Sequence, residues 1–169
     1  MKRTIILLAF VTFSSLAINA QTTLTERDQD FLNEAVQGSL MEVKLGELAQ
    51  TNASSPAVKN LGQTMIADHT KMVTELNKLG ADKKVTLSQS MGEKAQKNYA
   101  RLAKKQGKDF DKAYTRCMIH DHKKDICKFK KEAKKGDDPA IKNWASGQLP
   151  ALEQHKTMSE DACKMAKKS

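Results

Sequence analysis

The chain has 169 residues, with 29 Lys and Arg against 20 Asp and Glu, and a formal net charge of +9 with neutral histidines. Aromatic residues make up only 5% of the chain, too few for the stacking platforms that bind single-stranded nucleic acid, so no specific nucleic-acid partner is expected. A chain of this length suits one domain, and its positive charge favours contact with anionic surfaces or polymers.

The first 20 residues have the pattern of a secretory signal peptide. Lys2 and Arg3 precede an uncharged, mostly apolar run that ends at Ala20. Nothing later in the chain approaches about 18 continuous apolar residues, so no transmembrane segment is predicted after cleavage. We therefore expect an exported protein, periplasmic or extracellular, whose residues 21–169 form one helical domain. Removing Lys2 and Arg3 from the 29 basic residues leaves 27 against 20 acidic ones, a net charge of +7.

The spacing of apolar residues predicts helices throughout this domain. A first helix begins after Thr25, whose spacing to Asp28 resembles a capping box, and runs to about Gln50. A second begins with Ser55 as N-cap, followed by Pro56, and ends at Gly80. Because the polar connection between them is short, these two helices are predicted to form an antiparallel hairpin.

A short helix and a third long helix are predicted next. Ser90 and Glu93 have the spacing of a capping box and indicate a short helix that ends near Lys105. The third long helix runs from about residue 109 to residue 135, and Gly136 ends it.

The fourth long helix begins after Asp138, with Pro139 as its first residue. Pro150 lies inside it and is expected to kink or break the helix near Gly147, because proline has no backbone N–H to donate. Four long helices, with one extra short helix between the second and third, predict an all-α fold, an antiparallel four-helix bundle.

Each long helix places one potential metal ligand on its inward face. Two copies of Met-Ile-x-Asp-His end at His69 and His122, on the second and third long helices. At about 3.6 residues per turn both imidazoles share a row with apolar residues, as does His155 on the fourth helix. Glu42 lies in a row of small residues on the first. His120, only two positions from His122, is expected to face solvent and to be dispensable.

One carboxylate and three imidazoles form a donor set that Zn, Cu or Fe accepts. A buried carboxylate without partners is costly, so Glu42 needs donors or cations nearby. We therefore predict a transition-metal site formed by Glu42, His69, His122 and His155. In the alternative interpretation, each histidine is a packed core residue that hydrogen-bonds a backbone carbonyl or a neighbouring aspartate.

Three aspartates lie beside the candidate ligands. Asp68 and Asp121 each precede a candidate histidine and either orient the imidazole or lie at the solvent boundary. Asp125 is a further candidate ligand or a surface partner of nearby lysines. Methionines at helical spacing from the histidines usually fill cores, although thioethers also suit Cu(I); these are Met65, Met118 and Met158.

The three cysteines are Cys117, Cys127 and Cys163, and an exported protein permits one pair among them. If His122 and His155 are level on antiparallel helices, Cys117 and Cys163 are offset by about 4.5 Å along the axis. The corresponding offset of Cys127 and Cys163 is about 20 Å. Any disulfide is therefore predicted between Cys117 and Cys163, with Cys127 reduced.

Four segments, EVKLGELA, MIADH, FDKAYTRCMIHDHKKDICKF and LPALEQH, resemble in sequence and order the family called domain of unknown function 4142. The resemblance covers roughly residues 31–162 and implies an exported bacterial protein with a ferritin-like four-helix bundle. No settled activity comes with it. The positions that match the family pattern are Glu42, Asp68, His69, Phe110, Asp111, His122, Pro150 and His155.

The sequence argues against an enzyme. Di-iron helical bundles use Glu-x-x-His pairs, but the residue three before each candidate histidine is Ile66, Ile119 or Leu152. Oxygen-activating di-iron chemistry is therefore not expected. The chain also has no nucleophile elbow, phosphate loop, CxxC pair or dinucleotide fingerprint.

Two functions are compatible with these patterns. In the first, an exported bundle binds a transition metal for storage, buffering or structural support. In the second, a cell-envelope protein without metal uses its histidines for packing or pH response, and its lysine-rich surface, including residues 123–135, binds anionic envelope polymers or partners.

Overall fold

The computed structural model describes residues 24–168, and no strand occurs within this range, which confirms the predicted all-α class. The predicted signal peptide, residues 1–20, lies outside the described residues. Between residues 24 and 168, no helix combines the length and the apolar character needed to cross a membrane. The five helices of the described range are α1 (Glu26–Asn52), α2 (Pro56–Asp82), α3 (Glu93–Ala103), α4 (Gly107–Lys135) and α5 (Pro139–Ala166).

Side-chain caps start α1 and α5 as the sequence predicts. Thr25 Oγ1 accepts the backbone N–H of Asp28 at 3.3 Å. Asp138 Oδ1 accepts the N–H groups of Ala140 and Ile141 at 2.9 and 3.2 Å. These bonds satisfy N–H groups that have no partner within the first helical turn.

The start predicted for the short helix is wrong. α3 begins at Glu93 after Gly92, because Ser90 belongs to a local turn. The Ser90 N–H donates to Ser88 Oγ at 3.3 Å, and the Ser88 hydroxyl donates to the Ser90 carbonyl oxygen at 2.9 Å. These bonds compete with helix initiation.

α5 continues through Pro150, so the helix is not broken near Gly147. The kink predicted as the alternative stays a prediction. Because Pro150 has no backbone N–H, the carbonyl group of Ser146, four residues earlier, loses its helical partner. Both residues are exposed. That side of the helix is open to solvent, while Ala145 and Leu152 are buried on the side facing the core. Packing therefore holds both halves of α5 together.

α1 packs along α2, and α4 packs along α5. Contacts of α2 with α5 and of α1 with α4 join the two pairs, and α3 rests on α1 and α4. The core divides into two apolar clusters. One includes Leu45, Met65 and Met118, and the other includes Leu76 and Leu152. The residue predicted as a ligand on each long helix lies at the boundary between these clusters.

Two buried aspartates fix where α2 and α5 begin. Asp111 on α4 accepts the N–H groups of Ser54 and Ser55 at 3.2 and 3.0 Å, immediately before α2. Asp28 on α1 accepts the N–H groups of residues 137 and 138 at 3.2 and 2.8 Å, immediately before α5. Each carboxylate thus lies at the positive end of another helix and holds the two helices together.

Two glycines allow close backbone contact between α1 and α2. A Cβ atom on Gly46 would lie 2.6 Å from the carbonyl oxygen of Gly62, and one on Gly62 would lie 3.0 Å from the carbonyl oxygen of Gly46. Gly46 is one turn from Glu42, and Gly62 is two turns from His69. The contact therefore sets how closely Glu42 and His69 approach each other.

Gly46→Ala tests this contact. The added methyl group forces the two helices apart, and we expect the free energy of unfolding to fall by about 1–3 kcal/mol. Urea denaturation of the metal-free protein measures the change. Gly38→Ala is the control, because a Cβ at Gly38 meets nothing within 4 Å. It should stabilise α1 by up to about 1 kcal/mol, and effects of the same sign at both positions would contradict the close contact.

Candidate metal centre

Four polar residues, each from a different long helix, meet in the interior. They are Glu42 on α1, His69 on α2, His122 on α4 and His155 on α5, and none is more than 2% exposed. One potential ligand nitrogen from each histidine lies within 4.8 Å of those of the other two. The ring centroids are 5.2–5.8 Å apart. The structure therefore brings the four predicted ligands together at one level.

Two of the imidazoles are held on their outer side by strong hydrogen-bond acceptors. His122 Nδ1 donates to the carbonyl oxygen of Met118 at 2.9 Å. His155 Nε2 lies 2.7 Å from Asp68 Oδ2, and this carboxylate accepts the N–H of the neutral ring. A carbonyl or carboxylate partner fixes the tautomer, so the opposite nitrogen carries the lone pair.

His69 has a weaker outer partner. Its Nδ1 atom lies 3.5 Å from Ser39 Oγ. The Ser39 hydroxyl donates to Met72 Sδ at 3.2 Å, so its oxygen is left to accept from the imidazole. Ser39 lies three residues before Glu42 on the same inward face of α1. The sequence places Ser39 in that inward row but does not reveal its role as an imidazole partner.

The inner atoms of the centre have no hydrogen-bond partner in the described part of the chain. They are His69 Nε2, His122 Nε2, His155 Nδ1 and both carboxylate oxygens of Glu42. Glu42 Oε2 contacts His69 Nε2 and lies 3.6 Å from His122 Nε2, but neither contact forms a regular hydrogen bond. Buried polar groups normally have partners, so this concentration of unsatisfied atoms indicates a site for a ligand.

The charges within the centre are coupled. Burial acts to raise the pKa of Glu42, but the imidazoles of His122 and His69 outweigh it and lower that pKa to about 2. Burial acts to lower the pKa of His69, but the Glu42 carboxylate outweighs it and raises that pKa. Burial lowers the pKa of His155 despite its bond to Asp68. The centre therefore combines an ionised carboxylate with nitrogen donors, for which protons and metal cations compete.

The three predicted accessory aspartates occupy different positions. Asp68 has 51% of its side chain exposed and reaches inward to His155. Asp121 accepts the thiol of Cys117 at 3.1 Å. Asp125 is half-buried and lines a small cavity beside His69. Burial, followed by the charge of Glu42, raises the pKa of Asp125 to about 7.

All three cysteines lie in the described range and are free thiols. Cys117 is buried, Cys127 is exposed and Cys163 is half-buried. Burial and the neighbouring Asp121 raise the pKa of the Cys117 thiol, which disfavours the reactive thiolate. The disulfide between Cys117 and Cys163 stays a prediction. His120 is exposed, as its position two residues from His122 predicts.

The family model for the domain of unknown function DUF4142 matches residues 13–162. Because this match covers most of the chain, the protein belongs to the DUF4142 family. No curated protein sequence matches the chain.

Solved structures with a similar fold include a crystal structure of a DUF305 fragment from Deinococcus radiodurans. Its TM-score is 0.74 at 10% identity, and the match covers 85% of this chain and 99% of that one. CopM in the Cu(I)-bound form has a TM-score of 0.65 at 18% identity, covering 79% and 93% of the two chains. The Cu(II)-bound form has a TM-score of 0.65 at 16% identity, covering 81% and 95%. At these identities the similarity shows the fold alone.

Glu42→Gln tests the electrostatic coupling in metal-free protein. Without the carboxylate, burial dominates, and we expect the pKa of His69 to fall below its ordinary value of 6.5. NMR titration of the imidazole C–H signals measures this shift. Glu47→Gln, an exposed position on the same helix, is the control.

The same substitution should reverse the contribution of His69 to the pH dependence of stability. In the wild type the raised pKa stabilises the fold at pH values below 6.5, and this contribution is lost as the pH rises through the folded-state pKa. In Glu42→Gln the pKa is depressed, so stability is lost as the pH falls. A His69 pKa that does not change in Glu42→Gln would contradict the coupling.

Proposed function

We propose that the protein is an exported helical protein that binds one transition-metal ion through Glu42, His69, His122 and His155. The observation that carries this proposal is the division of each imidazole into a held outer nitrogen and an inner nitrogen without a partner. Proteins orient metal-binding histidines through such outer hydrogen bonds. Three nitrogen donors and one carboxylate suit Zn, Cu or Fe.

The size of the centre supports this proposal. Ligand nitrogens at about 2.0–2.1 Å from a shared tetrahedral metal lie roughly 3.3 Å apart. The three nitrogens are already within 4.8 Å of one another, so rotations and shifts of roughly 1 Å would bring them to coordination distance. The ionised carboxylate of Glu42, which contacts His69, would then neutralise part of the metal charge.

We further propose that the four long helices form an antiparallel, ferritin-like four-helix bundle around this centre. The connections that join α1 to α2 and α4 to α5, residues 53–55 and 136–138, are short enough for antiparallel neighbours. Apolar clusters flank the centre, and its four residues are at most 2% exposed. A single shielded ion with four protein ligands suits storage, buffering or structural support better than catalysis, which needs an open coordination position.

Copper is the first metal to test. Two structures with a similar fold are copper-bound forms of CopM. Imidazole donors suit Cu(II), which binds such sites more tightly than other divalent first-row metals. Met65 and Met118 are fully buried in an apolar cluster, which favours the interpretation that they fill the core.

The proposal predicts that His69→Gln, His122→Gln and His155→Gln each weaken metal binding by more than about 100-fold. Loss of a residue that only hydrogen-bonds a ligand costs up to about 100-fold, and loss of the ligand itself should cost more. Competition titration against a chromophoric chelator measures the affinity, with protein purified without a histidine tag. His120→Gln is the control because this histidine is exposed on the same helix as His122. Circular dichroism checks that each variant retains its helices.

Two results would contradict this function. One is wild-type protein that binds none of Cu²⁺, Cu⁺, Zn²⁺ and Fe²⁺ at micromolar concentration. The other is a metal affinity that falls by the same factor in His120→Gln as in the variants of the three buried histidines, since that would place binding at the surface.

A second candidate function rests on the exposed lysines of α4. They lie in its second half and give that surface a positive charge; they are Lys123, Lys124, Lys130, Lys131, Lys134 and Lys135. Such a surface favours anionic envelope polymers or lipid headgroups. Lys134 and Lys135 also complement the negative end of the helix dipole, which is their structural role.

Sedimentation with anionic lipid vesicles tests this second function. We expect wild-type binding that weakens steeply between about 50 and 200 mM salt, because exposed charges are screened over about 10 Å at 0.1 M salt. The double variant Lys131→Glu/Lys134→Glu should lose binding, while Lys71→Glu/Lys78→Glu on α2 controls for net charge. Equal losses in both variants would show that net charge, and not the α4 surface, governs binding.

A further inference from the structure

A groove of about 780 Å³ opens between α1, α3 and α4. Its exposed rim is basic and includes Lys94, Arg101, Lys112, Arg116 and Lys124. Its less accessible wall, formed by α4, contains the buried thiol of Cys117 and the half-buried carboxylates of Asp121 and Asp125. The groove therefore changes from cationic at its rim to acidic and sulfur-containing at its inner wall.

A second, smaller cavity lies between this wall and His69, one residue of the candidate metal centre. Its volume is about 20 Å³, and Ser39, His69 and Met72 line it. A cavity of this size accommodates about one water molecule or one ion. The residues that line both the groove and the small cavity are Glu34, Gly38, Asp125 and Lys128. The two spaces are therefore neighbours, and His69 lies at the inner end.

Gly38 lies at the boundary between the two cavities. A Cβ atom at this position would meet nothing within 4 Å, in contrast to the tight contact at Gly46 on the same helix. Close helix packing therefore does not explain this glycine. Its missing side chain leaves space between the groove and the cavity beside His69.

Two carboxylates of α4 line the groove. Asp121 and Asp125 are one turn apart, and Asp125 is shared by the groove and the small cavity. Carboxylate oxygens bind transition-metal ions and can exchange them with imidazoles. The basic rim opposes the approach of a cation, but its charges are exposed and screened, whereas the half-buried carboxylates are screened less.

We propose that the metal ion enters and leaves the histidine centre through this groove, passes Gly38, and contacts Asp125 as the last carboxylate before His69. This inference rests on the proposed function, because it assigns a route to the same centre. On the side where α2 meets α5, the hydrogen bond between Asp68 and His155 covers the centre. The groove side has the small cavity, the open position at Gly38 and the carboxylate of Asp125, beside an ion pair between Glu34 and Lys128.

Gly38→Leu tests the route by filling the space between the cavities. Stopped-flow mixing with aqueous Cu²⁺ and with Zn²⁺ measures association, and mixing with excess chelator measures dissociation. We expect both rates to fall by at least about tenfold, with an unchanged equilibrium constant, because a higher barrier slows both directions equally. Gly147→Leu on α5 is the matched control, since that glycine is also helical and a Cβ there meets nothing within 4 Å.

Asp125→Asn tests the route without adding bulk. It should lower the association rate by about threefold or more, because the neutral amide attracts the cation less strongly. Histidine-dependent metal binding whose rates are unchanged in both Gly38→Leu and Asp125→Asn would overturn the route and leave the metal site intact. The route would also be overturned if Gly38→Leu changed only the association rate or only the dissociation rate of the metal, and therefore changed the equilibrium constant. Wild-type protein that binds no metal would overturn the site and the route together.

Discussion

The Glu42 carboxylate is buried beside three imidazoles, and the packing of the four long helices depends on this arrangement. A buried carboxylate is tolerated when opposite charge or hydrogen-bond donors surround it, and here His69 and His122 hold its pKa near 2. The backbone contact of Gly46 with Gly62 brings α1 close enough to α2 for Glu42 to reach His69. Apolar clusters lie on both sides, and Glu42 is only 1% exposed.

Under the proposed function, the same arrangement would link proton binding to metal binding. Each imidazole uses one nitrogen to fix its orientation, and the other belongs to the shared interior. A proton on His69 compensates the charge of Glu42, and a metal cation bound as proposed would do so at the same point. Metal uptake would therefore release a proton, and the affinity would fall at low pH. The groove beside α1 and α4 is the approach to this interior that we propose.

Regular periodicity made much of this fold predictable. A repeat of about 3.6 residues identifies the inward faces of α1, α2, α4 and α5, and therefore the direction in which Glu42 and His155 point. The caps at Thr25 and Asp138 follow from side-chain chemistry that acts over three residues. The incorrect predictions involved competing interactions. Ser90 forms hydrogen bonds within a local turn. Pro150 is tolerated within α5 because the carbonyl group that it leaves without a helical partner, that of Ser146, lies on the exposed side of the helix.

By itself, the sequence determined the helices, their buried faces and the inward position of the four residues that we propose as metal ligands, because these depend on contacts between residues near one another in the chain. Tertiary structure decided the common level of the four residues, the pairing of Asp68 with His155 across two helices, and the open space at Gly38 beside His69. These features depend on how far one helix slides and rotates against another. A shift of one residue, about 1.5 Å along a helix, turns a side chain by about 100° and would separate the same four groups.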